Sequence, residues 1–240
     1  MGSRVRAVTV ILSMLLLASQ TRAQDDWSYE ITPYLWAAGT DADVTLDAQT
    51  ARVKREFVEV DLAGSVLGVG QRDRFVIWAQ LDFLRLDTDE IERAPAGGRL
   101  ESDAFLATLG FGYQFGQRGG RSVDVLLGAR HLSLDSKFTL NGVGRFKRDE
   151  VFTDPLIIVR PSWPLGERWR FNPTVSLGGG DSQLTWELQP QFQWLIVDRF
   201  ALRLGYRRVF YRIESDGGRN KWDGAFQGVI IGIGGMFGDR

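Results

Sequence analysis

The chain has 240 residues, a formal net charge of −1, no cysteine and a single histidine. Lack of cysteine excludes disulfides, thiolate chemistry and cysteine-based metal sites. With no basic domain or stripe, nucleic acid is not an expected partner.

Arg4 and Arg6 precede a short apolar run, Val8 to Ala18, and Thr21-Arg22-Ala23 supplies a small-residue cleavage site. Basic, apolar and cleavage zones in that order read as a secretory signal peptide. The run falls short of the about 20 residues that a spanning helix needs, and no later stretch is long and apolar enough for one. The expectation is therefore a signal peptide over 1–23 and one domain over 24–240. Loss of Arg4, Arg6 and Arg22 moves the formal charge from −1 to −4.

Two-residue alternation, the period of a strand, recurs from there almost to the end. Tyr34, Trp36, Ala38, Ala42, Val44 and Leu46 form the first apolar set. A less regular strand is expected near 51–60, where Arg52, Lys54, Arg55 and Glu56 blur the pattern; Leu62 to Gly70 reads as a short helix or an inward-folded loop. Further strands are expected near 74–87, over Ala104 to Phe115, near 122–139 and near 149–163. Trp169 to Leu177, Gln183 to Trp194, Phe200 to Arg207 and Gly228 to Phe237 complete the series. Turn residues separate them, among them Gln117-Arg118-Gly119-Gly120, Asn141-Gly142 and Asp216-Gly217-Gly218. The sum is about ten strands, an even number as in bacterial membrane barrels, with eight or twelve as alternatives.

Alternation alone does not say which face meets water, because soluble and membrane barrels share the period. Several strands alternate for ten or more residues, close to the about 9–11 that a tilted strand needs to cross a bilayer. The polar faces consist of Gly, Ser, Thr, Gln, Asn and a few charges, which suit a narrow lumen. Aromatics near strand ends (Tyr34, Trp36, Tyr113, Phe115, Trp163, Trp169, Trp194 and Phe200) suit interfacial girdles. Leu184, Trp186, Leu188, Phe192 and Trp194 are thus expected on lipid, and Thr185, Glu187, Gln189, Gln191 and Gln193 in the lumen. Pro155, Pro161, Pro173 and Pro190 each remove a ladder donor and imply bulges or gaps.

The segments WSYEITPYLW, LLGARHLSLD, DPLIIVRPSWPL and GVIIGIGGMF resemble a family of small, largely uncharacterised Gram-negative outer-membrane β-barrel proteins of the OmpA/OmpX barrel type. The resemblance implies an outer-membrane location, outer-membrane lipid and lipopolysaccharide as surroundings, and insertion by the barrel-assembly machinery. It also implies that Val229, Ile231, Ile233 and Phe237 form the C-terminal assembly signal, here followed by the additional Gly238-Asp239-Arg240.

Three constellations bear on chemistry. His131, Ser133 and Asp135 share one strand face, and a histidine oriented by a carboxylate can activate a serine. The outer-membrane lipid A deacylases resemble this pair locally, so a lipid A or phospholipid hydrolase is one alternative; an interfacial histidine beside rim residues is the other. Asp124, Arg130, Asp154, Arg160, Arg170, Glu187, Arg203 and Arg207 fall on the expected lumen face, where mixed charges either plug the interior or line a narrow path. Arg145, Lys147, Arg148, Arg219 and Lys221 lie in connections expected to face outward, and are candidates for lipopolysaccharide phosphates. Asp87, Asp89 and Glu90 do not complete a calcium-loop pattern, and no metal or cofactor motif occurs.

The reading is a monomeric, all-β transmembrane antiparallel up-and-down barrel with a structural or interaction role, or a narrow pore, and without a cofactor. A lipid hydrolase and a soluble periplasmic barrel holding an apolar ligand are the alternatives.

Overall fold

The computed structural model describes residues 27–46, 49–55, 61–88, 98–117, 119–140, 144–215 and 220–238. The expected signal peptide lies outside the described residues.

Among them the backbone forms thirteen antiparallel segments. These are β1 (Trp27–Leu46), β2 (Gln49–Arg55), β3 (Asp61–Arg72), β4 (Phe75–Thr88), β5 (Gly98–Gly116), β6 (Ser122–Leu140) and β7 (Gly144–Pro164). Then follow β8 (Trp169–Phe171), β9 (Thr174–Gly178), β10 (Leu184–Gln189), β11 (Gln191–Val197), β12 (Phe200–Ser215) and β13 (Asn220–Phe237). Twelve lie on one hydrogen-bonded ring, with β2 pairing β1 beyond the end of β3. The first and last strands, β1 and β13, pair from Tyr29↔Phe237 to Thr45↔Lys221, which closes the ring. Closure leaves the twelve-segment ring without a free edge, as a chain surrounded by hydrocarbon requires.

Three pairs of segments follow one another along the same line. β2 and β3 pair successive parts of β1, β8 and β9 pair successive parts of β7, and β10 and β11 pair successive parts of β12. The wall accordingly has ten staves. Leu62 to Gly70, expected as a helix or loop, instead belongs to β3. Its small residues Gly64, Gly68 and Gly70 weaken the alternation in the sequence without preventing the pairing with β1 and β4.

The side-chain faces follow the period of two. Leu127, Leu109, Phe111, Ile157, Leu177, Val229 and Ile231 stand exposed on the outside. Tyr113, Phe115, Trp163, Trp169, Phe200 and Phe237 stand exposed around the mouth where β1 begins and β13 ends. Leu188 is 46% and Phe192 45% exposed, while Glu187 and Gln191 are 1% and 2% exposed. An exterior belt of this kind is the reverse of what a soluble ligand-binding barrel presents.

β1 departs from the expectation. Tyr34 and Trp36 point inward and are buried; Tyr29, which is exposed, and Trp27 take the girdle position. The strand begins at Trp27, so Tyr34 is several rows from its end. The interior is also less polar than expected, since Trp36, Trp78, Leu106, Leu126, Leu132, Ile158, Val209 and Tyr211 pack together inside.

The inner face of β13 carries Gly224, Gly228, Gly232 and Gly234, where atoms of β1 approach closely. Gly228 lies between Ala38 and Arg207 in the register, and a Cβ there would fall 1.6 Å from the carbonyl oxygen of Ala37. Only hydrogen fits.

Candidate functional site

The centre of the lumen is occupied by a charge network whose members come from staves on all sides. Arg207 on β12 donates from Nη1 to Asp82 Oδ2 on β4 at 2.6 Å and from Nε to Glu187 Oε1 on β10 at 2.9 Å. Arg130 on β6 pairs with the other oxygen of Glu187. It also donates to Thr108 Oγ1 at 3.2 Å, Thr185 Oγ1 at 3.2 Å and Ser176 Oγ at 2.9 Å. Tyr34 donates its hydroxyl to Asp82 and accepts from Gln80 Nε2, which also reaches Gln189 at 3.3 Å. The side chains of Arg130, Arg207, Asp82 and Glu187 are fully shut off from solvent.

Two guanidiniums face two carboxylates, so the cluster is neutral as a unit, and nearly every donor has an acceptor. This is the condition under which charge is tolerated in a dry interior. The Arg207 guanidinium also lies over the Trp36 ring, 4.4 Å from its centroid, a cation–π contact strengthened by desolvation. Towards the far mouth, Tyr211, Trp222 and Phe226 meet in succession with tilted rings, in the same apolar cluster as Leu132 and Ile213.

Below the network, the mouth where β1 begins and β13 ends opens into a cavity of about 820 Å³. Asp124 and Arg160 pair there at 3.2 Å, and Arg203 pairs with Glu30 at 2.6 Å. Gln114 donates to Asp124 at 2.9 Å. Arg170 donates to the carbonyls of Gly119 and Gly120 at 2.6 and 3.2 Å and to Ser162 Oγ at 2.9 Å. Asp154 stands apart from these pairs, holding the turn before β10 by accepting from Ser182 N and Oγ, both at 2.8 Å.

All eight charged residues assigned to the lumen from the sequence face inward, but in three separate groups. The centre takes Arg130, Glu187 and Arg207; the cavity takes Asp124, Arg160, Arg170 and Arg203; Asp154 serves the turn. Sequence reasoning missed Tyr34, Gln80, Asp82 and Glu30. Gln80 and Asp82 do alternate with Leu81 and Phe83, a visible signal, but Val76 and Trp78 on the same inner face obscure it.

His131, Ser133 and Asp135 lie on the outer wall. His131 Nδ1 is 3.1 Å from Thr153 Oγ1, with the Phe105 ring edge-on, and Asp135 lies 3.5 Å from Lys147. Among the described residues no hydrogen bond joins His131 to Ser133 or Asp135, so a relay is not assembled. Lys147 also pairs with Asp149 at 3.0 Å, and these two carboxylates hold its ammonium above its ordinary range. Lys221 pairs with Glu214 at 3.1 Å. Asp89, Glu90 and Arg219, with the side chains of Asp87, Arg145 and Arg148, lie outside the described residues. No group of metal-ligating side chains occurs among those described. Val229, Ile231, Ile233 and Phe237 face outward on β13.

A closed antiparallel ring, an apolar exterior belt with aromatics at its margin and a charged interior define a transmembrane β-barrel. Its fold is that of outer-membrane barrels. The outer membrane protease OmpT from Escherichia coli superposes with a TM-score of 0.59 at 9% identity, over 91% of this chain and 99% of that one. Ail, the attachment invasion locus protein of Yersinia pestis, gives 0.36 at 14% identity, over 89% and 100%. No family model and no curated protein matches the sequence.

Proposed function

We propose that the protein resides as a monomer in the outer membrane of a Gram-negative bacterium and acts there as a closed barrel with a structural or interaction role, not as a conducting pore. The carrying observation is the dry Asp82–Arg207–Glu187–Arg130 bridge, which spans the lumen from wall to wall. Ten staves enclose little space in any case, since broad aqueous channels belong to barrels of about 16–18 strands. Outer-membrane lipid and lipopolysaccharide surround the belt, and the outward apolar row ending at Phe237 is the segment offered to the assembly machinery.

Planar-bilayer recording of the purified protein tests the reading. The expected result is no steady unitary conductance; stable, reproducible steps from the wild-type chain overturn it. The hydrolase reading draws no support from the His131 geometry. The soluble-barrel reading draws none from the exterior belt.

A further inference from the structure

The barrel wall has a weak seam. Val159 pairs with Val175 and Trp163 with Phe171 in one unbroken register, so Pro161 stands directly opposite Pro173. On the other side of the same stave, Gln189 pairs with Thr174 and Phe192 with Phe171, which brings Pro190 opposite Pro173 as well. Three prolines therefore form one row across three neighbouring staves. Asn172 N donates towards Gln191, so the next backbone nitrogen, that of Pro173, faces β7. A pair of residues there would normally exchange two N–H···O bonds, and neither proline has an N–H to give. The seam runs without ladder bonds between the pairs at Val159 and Trp163, about 13 Å of wall.

Side chains hold it shut instead. On the inside Ser162 donates to Asn172 Oδ1 at 2.9 Å. On the outside Trp163 stacks on Phe171 at 5.8 Å. Each of these contacts is far easier to exchange than paired backbone. The polar cavity reaches the seam from within, because Pro161 and Pro173 are both part of its lining. Among the described residues, five arginines (Arg160, Arg168, Arg170, Arg199 and Arg203) line the cavity against four carboxylates (Glu30, Asp124, Glu167 and Asp198).

We propose that this cavity receives the head group of an anionic phospholipid from the periplasmic leaflet, which enters sideways through the seam between β7 and β8–β9 while its chains stay among the aromatics outside. The row lies one step inside the girdle formed by Trp163 and Trp169, the depth of the glycerol region. The positive formal charge of the lining favours a phosphate carrying net negative charge, and a lateral route spares the chains any contact with the polar cavity. The proposal rests on the membrane residence proposed above.

The chain has no cysteine, so the seam can be locked by one designed bridge. Ser162 and Asn172 face each other in a non-bonded antiparallel pair, whose spacing of about 4.5 Å between Cα atoms suits a disulfide. Full-length wild type and the Ser162→Cys/Asn172→Cys variant are placed in vesicles containing phosphatidylglycerol with a photoactivatable group beside its glycerol. Adducts are then mapped by mass spectrometry. Wild type should label interior Gln193 or Arg203 as well as exterior Phe115 and Tyr113, which stand at the depth of the proline row. Oxidation of the variant should reduce interior labelling at least fivefold, and reduction should restore it. Interior labelling absent from wild type, or undiminished by the bridge, overturns the proposal; absence of exterior labelling as well overturns membrane residence instead. Should the variant fail to fold, wild type decides through charge: interior labelling by a matched phosphatidylcholine probe must be several-fold weaker, and equal labelling refutes the anionic site.

Discussion

The guanidinium of Arg207 lies 4.4 Å from the ring centroid of Trp36 while its nitrogens reach Asp82 and Glu187. One side chain thus joins β1, β4, β10 and β12 across the lumen. Arg207→Ala leaves two carboxylates buried with one guanidinium between them, and removing one partner of such a pair costs about 3–5 kcal/mol. A urea titration read by tryptophan fluorescence should show that loss. Arg207→Lys should recover little of it, because an ammonium lacks the planar fork that serves both carboxylates and the ring.

Beside Arg207 in the register, β13 carries a glycine that the backbone of β1 requires. In Gly228→Ala the new methyl would sit 1.6 Å from Ala37 O, a backbone atom with nowhere to move while β1 and β13 stay paired. The closing seam must open locally, at a cost of at least the about 1–3 kcal/mol of ordinary overpacking. The expected readout is a reduced fraction of compact, heat-modifiable protein, with the lowered urea midpoint persisting in the folded fraction. An unchanged midpoint would mean that the β1–β13 register is not the one described.

How far the sequence discloses this arrangement depends on whether the two faces of a strand meet different surroundings. Across Gln183 to Trp194 the inner residues are Thr, Glu and Gln and the outer ones Leu, Trp and Phe, so orientation is legible from the pattern. Along β1 both faces are apolar, with Tyr34, Trp36 and Ala38 inside and Tyr29, Ile31 and Leu35 outside. Alternation there carries no information about direction, which is why Tyr34 and Trp36 read as girdle residues. The eight lumen charges were visible as a face, but their partners were not: Asp82 and Arg207 are 125 positions apart. Likewise each proline shows as a local difficulty, while the row made by Pro161, Pro173 and Pro190 exists only once register is fixed.

The exterior belt makes a depth-dependent prediction. Leu127 is 60% exposed at the middle of the apolar stretch of β6, and Phe115 is 53% exposed at its margin on β5. A charge on the lipid face costs about 2–4 kcal/mol at the bilayer midplane and about 0–1 kcal/mol near the interface. Leu127→Arg should therefore destabilise the barrel in vesicles much more than Phe115→Arg, measured as folding free energy from urea titrations. Equal costs would place the hydrocarbon boundary elsewhere.

His131 provides the sharpest separation between a structural and a chemical residue. A serine nucleophile needs a base within about 2.6–3.2 Å of its oxygen. The imidazole instead makes its hydrogen bond to Thr153 on the neighbouring stave at 3.1 Å, with Phe105 against its edge. Both contacts are cross-strand pairs of the kind that steady a sheet by about 0.2–1 kcal/mol each. His131→Ala should thus lower stability by about 1 kcal/mol, and His131→Phe should restore most of it, because an aromatic keeps the contact with Phe105. Lipid A from cells overproducing wild type or either variant should be indistinguishable by mass spectrometry. A change in lipid A seen with wild type and lost in both variants would instead make His131 a catalytic base, and would require Ser133 to move within its reach.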